Sequence, residues 1–238
     1  VKVQLSLDGP KDVHDYIRGE GVFEKAISGI MNLAKYKVKT KIGTTITKPL
    51  LNRIEEFVRI CNDLPVKEIQ FFTLLREGRA AANYEELKVS SEELYNFNRE
   101  IFRLVQLYSI TLSIERTLYQ NLMFRGPIQR CGAGVDRLSI DAEGNVYPCQ
   151  TLHIRDFLVG NVRKRRLIEI WNENNVVLRQ FRELSVLDME HCKSCVWKFV
   201  CADGCRAESY LAYGRIDVRD PYCDAYRRAY LDAVNLYS

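Results

Sequence analysis

The 238-residue sequence has no apolar run long enough to cross a bilayer, no block of like charge and no low-complexity stretch. The first absence excludes a spanning helix, which needs about 18 or more consecutive apolar residues. The second removes the footprint of a nucleic-acid binder: 35 Lys and Arg face 31 Asp and Glu, and the net charge of +4 is spread along the chain. The third, with 28% charged and 47% hydrophobic residues, excludes a disordered chain and leaves ample apolar surface for one large domain or two ordinary ones. No basic segment leads into an apolar export signal, and the first residue is Val1 rather than Met, so the sequence is expected to begin inside a longer cytoplasmic protein. The first half is also almost without cysteine. Cys61 stands there alone, among apolar neighbours, and is expected to be a buried structural thiol.

What is present in that half is an alternation of strands and helices. Val1, Val3, Leu5 and Leu7 repeat at period two and stop at Asp8-Gly9-Pro10. Phe23, Ala26, Ile27, Ile30 and Leu33 have helical spacing, and a strand is expected over 37–47. Pro49 opens a helix expected to run to Leu64, and Glu68 to Leu75 reads as another strand. Ser90 and Glu93 have the form of a capping box at the head of a helix reaching Leu107, with a short strand at 110–114. Repeating β-α units of this kind build parallel sheets, and four strands are too few for a closed eight-stranded barrel. The expectation is an α/β fold containing part of one.

Beyond about Arg125 the pattern changes. Arg137–Ile140 and Val146–Tyr147 flank a turn at Asp141–Asn145 and read as a hairpin, followed by short helices, loops and a last amphipathic helix over 221–236. Seven of the eight cysteines fall here: Cys131, twelve residues, Gly144, four residues, Cys149, a gap of 42, Cys192-x2-Cys195-x5-Cys201-x3-Cys205, 17 residues, Cys223. An odd count at two-to-five-residue spacing, with no sign of export, suits a metal better than disulfides. Zinc and iron–sulfur clusters both fit thiolates so spaced. Only one Cys-x2-Cys knuckle is present, and a division of seven ligands into four and three favours two clusters. A segment with so little apolar core would draw part of its folding energy from that metal.

The framework resembles the SPASM domain, the C-terminal extension of one class of radical S-adenosylmethionine (SAM) enzymes, whose pattern Cys-x9–15-Gly-x4-Cys, Cys-x2-Cys-x5-Cys-x3-Cys, Cys is met at every position. Cys131-Gly-Ala-Gly134, Gly144-Asn-Val-Tyr-Pro-Cys149, Leu158-Val-Gly-Asn161, Ile170-Trp171 and Asp220-Pro-Tyr-Cys223 agree with it. The resemblance implies two auxiliary [4Fe–4S] clusters: Cys192, Cys195, Cys201 and Cys223 on the second, and Cys131, Cys149 and Cys205 on the first. Relatives that ligate the first cluster fully carry a further Cys where Arg125 stands, so its fourth iron is implied to be open to substrate, water or another side chain. His153 is one candidate partner for it; His191 adjoins the second cluster.

The first half resembles the same family. Val3-Gln-Leu-Ser-Leu-Asp-Gly-Pro10, His14-Asp15 and Arg18-Gly19 are similar to its fourth barrel strand and following loop, and Leu74-Leu75 with Gly78-Arg79-Ala80 to the end of the sixth. By that likeness Ser6 is the position that bonds SAM, the backbone at 72–75 lies near its adenine, and His14 fixes the loop. Residues 1–125 are then the C-terminal part of a radical SAM (β/α) barrel and 126–238 a loop-rich α+β SPASM domain. The family's Cys-x3-Cys-x2-Cys triplet, which holds the SAM-cleaving third [4Fe–4S] cluster, is not in this sequence. The intact parent is therefore implied to abstract a substrate hydrogen through a 5′-deoxyadenosyl radical, and this chain alone to be inactive.

Such enzymes mostly act on peptides or proteins, with electrons from a flavodoxin- or ferredoxin-like donor. The sulfatase-maturing branch fits less well, because Arg125 replaces its extra Cys and Gln150 its Asp; a maturase of ribosomal peptides is favoured. Arg163, Lys164, Arg165 and Arg166 read as a solvated face, with docking of an acidic donor as the functional alternative. Tyr222, Tyr226 and Tyr230, at helical spacing, read as core. A non-catalytic cluster-carrying subunit and a zinc-stabilised binding module remain the competing expectations; neither nucleic acid nor membrane is an expected partner.

Overall fold

A computed structural model of the chain describes residues 2–108, 111–114 and 130–237. Two compact units emerge, one made of residues 1–120 with 224–238 and the other of 121–223.

In the first unit β1 (Lys2–Ser6), β2 (Lys39–Ile46), β3 (Glu68–Thr73) and β4 (Thr111–Ile114) form one parallel sheet in chain order. Ser6 lies opposite Gly43, Thr45 opposite Phe72, and Gln70 opposite Ser113. A doubly wound sheet reverses its strand order at a switch point. Across these four strands the order does not reverse, as it would not in a barrel wall.

Between β1 and β2 come α1 (Lys11–Arg18) and α2 (Val22–Lys35), the latter packed on both strands. Periodicity does not announce α1, because only Val13 and His14 of its eight residues are buried. Pro10 immediately before it pre-sets the chain for helical entry, and Asp12 favours the first turn. The helix expected from Pro49 to Leu64 is two, α3 (Lys48–Leu51) and α4 (Ile54–Asn62). The break sets the Arg53 guanidinium between Asp12 at 2.9 Å and Glu56 at 2.5 Å.

After β3 come the one-turn helix α5 (Tyr84–Leu87) and then α6 (Ser91–Leu107), which starts as the capping box requires: Ser90 Oγ accepts from the Glu93 amide at 3.1 Å and Glu93 Oε2 from the Ser90 amide at 2.7 Å. Its Leu94, Phe97, Ile101 and Leu104 are buried with Ile42, Ile69, Phe71 and the α4 residues Phe57, Val58 and Cys61. Each such side chain contributes about 1.5–3 kcal/mol on burial. Phe97 meets Phe71 edge to face at 5.1 Å.

The second unit is built on a small antiparallel sheet, β5 (Ser139–Ile140), β6 (Asn145–Tyr147) and β7 (Gly160–Asn161). Asp141 holds the hairpin turn by accepting the Asn145 amide on Oδ1 at 2.8 Å. Adjacent residues of β6 point to opposite faces, so Val146 joins a cluster with Val159, Ile170 and Leu178, while Tyr147 joins one with Leu152, Phe157 and Phe181. Four short helices follow, α7 (Leu167–Asn172), α8 (Val176–Glu183), α9 (Lys198–Cys201) and α10 (Arg206–Tyr213).

The last helix, α11 (Cys223–Tyr237), belongs from Asp224 onward to the first unit. Tyr95 donates to Asp232 at 2.7 Å, Ser91 Oγ accepts the Ala225 amide at 3.1 Å, and Arg228 pairs with Glu92. Among the described residues no helix is long and apolar enough to cross a membrane.

Candidate metal centre

Of the seven cysteines from Cys131 onward, Cys205 is buried and the other six are half-buried. The loop after Cys131 is tied to the residue before Cys149: the Gly134 amide donates to the carbonyls of Arg137 at 3.0 Å and Pro148 at 3.1 Å. Both thiols pack against the apolar cluster of Ala133, Tyr147, Leu152, Phe157 and Phe181, and Cys205 is a member of that cluster. Three thiols from segments far apart in sequence therefore share one apolar patch. Arg137 lies beside Cys131 and Cys149, its guanidinium held charged chiefly by Asp136 at 2.9 Å and secondarily by the two thiols.

Cys205 is the N-cap of α10, where its Sγ accepts from the Glu208 amide at 3.5 Å. A helix N-terminus stabilises a thiolate over a thiol, as a metal ligand requires.

The second group is more local. Cys192 and Cys195 are the two ends of a single turn, the Cys195 amide donating to the Cys192 carbonyl at 2.9 Å. Burial pushes the Cys192 thiol up, Asp203 adds to the shift, and Arg206 opposes it. Cys201 ends α9 and Cys223 opens α11.

Between Cys201 and Cys205 the backbone is left-handed at three successive residues, Ala202, Asp203 and Gly204, with φ of 52°, 67° and 73°. Only the glycine adopts that region freely. Buried beside this turn, Asp203 and Arg206 form an ion pair at 3.0 Å. Burial raises the Asp203 carboxyl to about 7 against the pull of Arg206.

Among the described residues no three His, Cys, Asp or Glu side chains converge on a point where a single metal ion would sit. In a four-iron cube each thiolate bonds a different iron, so its ligands stand further apart than those of a tetrahedral zinc. Soft thiols, three of them on one apolar patch, fit clusters as a donor set.

The remaining candidates divide by what surrounds them. Ser6 ends β1, half-buried, at the C-terminal edge of the sheet where barrel folds place ligands. His14 is fully buried; its Nδ1 accepts the Asp8 amide at 3.0 Å and so anchors the loop after β1. In the same loop Asp8, fully buried, accepts the Thr45 amide at 2.8 Å and pairs with Arg18. Phe72, Thr73 and Leu75 are half-buried and Leu74 is buried. Cys61 is fully buried and burial pushes its thiol up, which suits a structural role.

His153 stacks on Tyr147 at 4.5 Å, and its Nε2 lies 2.7 Å from Ser139 Oγ. His191 and Gln150 are exposed. Within the basic run, Arg165 pairs with Glu173, Arg166 with Glu169, and Arg163 donates to the Ala142 carbonyl. Tyr222, Tyr226 and Tyr230 are buried. Arg125 lies outside the described residues. Sequence reasoning passed over the buried charges Asp203, Arg206 and Glu208, and met Asp8 and Asp220 only inside motifs, with no role of their own.

Comparison with known proteins gives the class first: residues 131–196 match the SPASM model, described as an iron–sulfur cluster-binding domain. The chain thus resembles radical SAM proteins carrying that domain, and its α/β architecture is theirs. Among individual relatives, the AdoMet-dependent heme synthase of Methanosarcina barkeri is 29% identical over 244 residues, covering 93% of this chain and 67% of that protein. Mycofactocin maturase MftC of Mycobacterium tuberculosis is 29% identical over 237 residues, 94% of this chain and 57% of that protein. The cysteine-type anaerobic sulfatase-maturating enzyme of Clostridium novyi is 23% identical over 236 residues, 94% and 63%.

Of solved structures, anSMEcpe with bound AdoMet superposes with a TM-score of 0.77 at 23% identity, covering 98% of this chain and 64% of that one. Streptococcus suis SuiB bound to precursor peptide SuiA gives 0.67 at 14%, covering 92% and 52%. The chain therefore spans between about half and two thirds of the length of the proteins it matches.

Proposed function

We propose that this chain is the iron–sulfur-bearing portion of a radical SAM enzyme that modifies a peptide or protein by hydrogen abstraction. Residues 1–125 are the barrel part and 126–238 the SPASM extension. Cys131, Cys149 and Cys205 hold auxiliary cluster I, with an open iron, and Cys192, Cys195, Cys201 and Cys223 hold cluster II. The observation that carries the reading is the meeting of Cys131, Cys149 and Cys205 on one apolar cluster, apart from the Cys192–Cys195 turn. These three are the residues that the family resemblance assigns to the first cluster. Bound clusters supply one-electron transfer or a coordination point for substrate.

The protein's own contribution is to shield the thiols with Tyr147, Leu152, Phe157 and Phe181, and to present Cys205 at a helix N-terminus. Ser6 is the residue assigned to SAM, at a strand end where the backbone has just been fixed by Asp8 and His14. A flavodoxin- or ferredoxin-like protein is the proposed electron donor. Peptide-directed names among the relatives and a peptide-bound structural neighbour support the substrate class. The heme synthases support a second reading, in which the substrate is a tetrapyrrole.

Anaerobic reconstitution with iron and sulfide tests the cluster assignment. About eight irons per chain in two [4Fe–4S] centres, one with a distinct iron, is the expected result. A colourless protein holding about one zinc sinks it in favour of a binding module. Equilibrium binding to a peptide library, set against binding to an iron porphyrin, separates the two substrate readings.

A further inference from the structure

Asp220 is buried, 2% exposed, in the loop before Cys223. Its carboxylate is shared between two backbone amides: Oδ2 accepts from Cys205 at 2.7 Å and Oδ1 from Tyr222 at 2.8 Å. Its carbonyl accepts the Cys223 amide at 3.0 Å. One residue thus fixes the backbone of two cysteines assigned to different clusters.

The surroundings leave Asp220 little freedom. Gly204 presses on it so closely that an added Cβ would lie 2.5 Å from Asp220 Cβ. Arg206, 1% exposed, closes the same loop by donating from Nη1 to the carbonyls of Ile216 at 2.5 Å and Val218 at 2.7 Å. The left-handed turn at 202–204, unfavourable for Ala202 and Asp203, persists where its surroundings over-determine it.

We propose that Asp220 is a positioning residue shared by the two cluster sites, setting Cys205 of cluster I directly through its carboxylate and Cys223 of cluster II through its carbonyl and its carboxylate's hold on the adjoining Tyr222 amide, so that the two sites form together. The proposal rests on the two-cluster reading above. Its carboxylate also places one negative charge near Cys205 and Cys223, which would favour the oxidised state of clusters bound there.

The test uses Asp220→Asn, whose amide can accept only one of the two N–H groups and carries no charge. Cys131→Ala and Cys192→Ala serve as references that identify the Mössbauer and EPR signals of clusters I and II. After anaerobic reconstitution, Asp220→Asn is expected to show at least a twofold lower occupancy at both sites. The midpoint potentials of the residual clusters move positive together, a shift that loss of a merely structural contact does not produce. Full occupancy, loss confined to one cluster, or unchanged potentials overturns the proposal. Should far-UV circular dichroism show Asp220→Asn unfolded, Asp220→Glu decides: it keeps the charge with a displaced carboxylate, and full occupancy at both sites refutes the role. Wild-type protein that takes up no iron defeats the two-cluster reading and this proposal with it. Wild type with two clusters and an unaffected variant defeats this proposal alone.

Discussion

Replacing Gly204 by alanine separates backbone strain from steric conflict, because the second unit offers a matched control. Gly204 and Gly214 have nearly the same left-handed φ, +73° and +70°. At Gly214, just past α10, an added Cβ meets nothing within 4 Å, so Gly214→Ala carries only the conformational cost, about 1–2 kcal/mol. At Gly204 the same methyl would lie 2.5 Å from Asp220 Cβ and 2.6 Å from its Oδ2. The carboxylate must move, and a buried amide stripped of its acceptor costs about 1–3 kcal/mol more. Gly204→Ala should therefore lose about 2–5 kcal/mol in all.

The assay is urea unfolding under anaerobic conditions, followed by fluorescence of the only two tryptophans, Trp171 and Trp197, both in the second unit. With a slope of about 1–3 kcal/mol per molar urea, Gly214→Ala lowers the midpoint by roughly 0.5–1 M and Gly204→Ala by about two to three times as much. Equal shifts for the two variants would show that the Asp220 carboxylate yields freely, and the account of a pinned loop would be wrong.

Cys61→Ser places a hydroxyl in an apolar site and is expected to destabilise the first unit by about 1–3 kcal/mol while iron content stays at the wild-type value; a drop in iron in the folded variant would make Cys61 a ligand after all. His14 has its pKa lowered, burial outweighing the attraction of Asp8, so it is neutral in the fold. Stability from this group is intact above its unfolded value near 6.5 and falls as pH drops from there through the depressed folded value; relative to His14→Asn, which keeps an acceptor for the Asp8 amide, wild type should lose denaturation midpoint between pH 7.5 and 5.5. A parallel pH dependence in the two proteins would contradict this. Incubated with SAM and a strong reductant, the 238-residue chain should release no 5′-deoxyadenosine by chromatography, since its sequence holds no Cys-x3-Cys-x2-Cys triplet; release above the protein-free control would refute the requirement for it.

Where one interaction dominates locally, the fold could be read in advance. The Ser90–Glu93 box and the period-two residues of β1 depend on neighbours a few positions away, and both formed as read. Cysteine spacing carried the likeness to the iron–sulfur cluster-binding domain matched over 131–196, because thiols at such intervals have few other uses. The two-residue strand β7 is too short for any period, and α1 buries too little to leave a stripe. The break between α3 and α4 sets Arg53 against Asp12, 41 residues away, which no local pattern contains. Asp203, Arg206 and Asp220 escaped for a related reason: a charged residue reads as surface until its tertiary partner is known.

The interruption of the first unit by the second also has a consequence for the order in which the chain can fold. Ala225, Tyr226 and Tyr230, all buried in α11, are synthesised after every assigned cysteine, yet they complete the unit whose sheet precedes those cysteines in the chain. Every assigned cysteine is synthesised before that helix is finished. The cysteine-bearing segment is thus available to metal while the older part of the chain still waits for its closing helix, so iron delivery can precede completion of the sheet-bearing unit during synthesis.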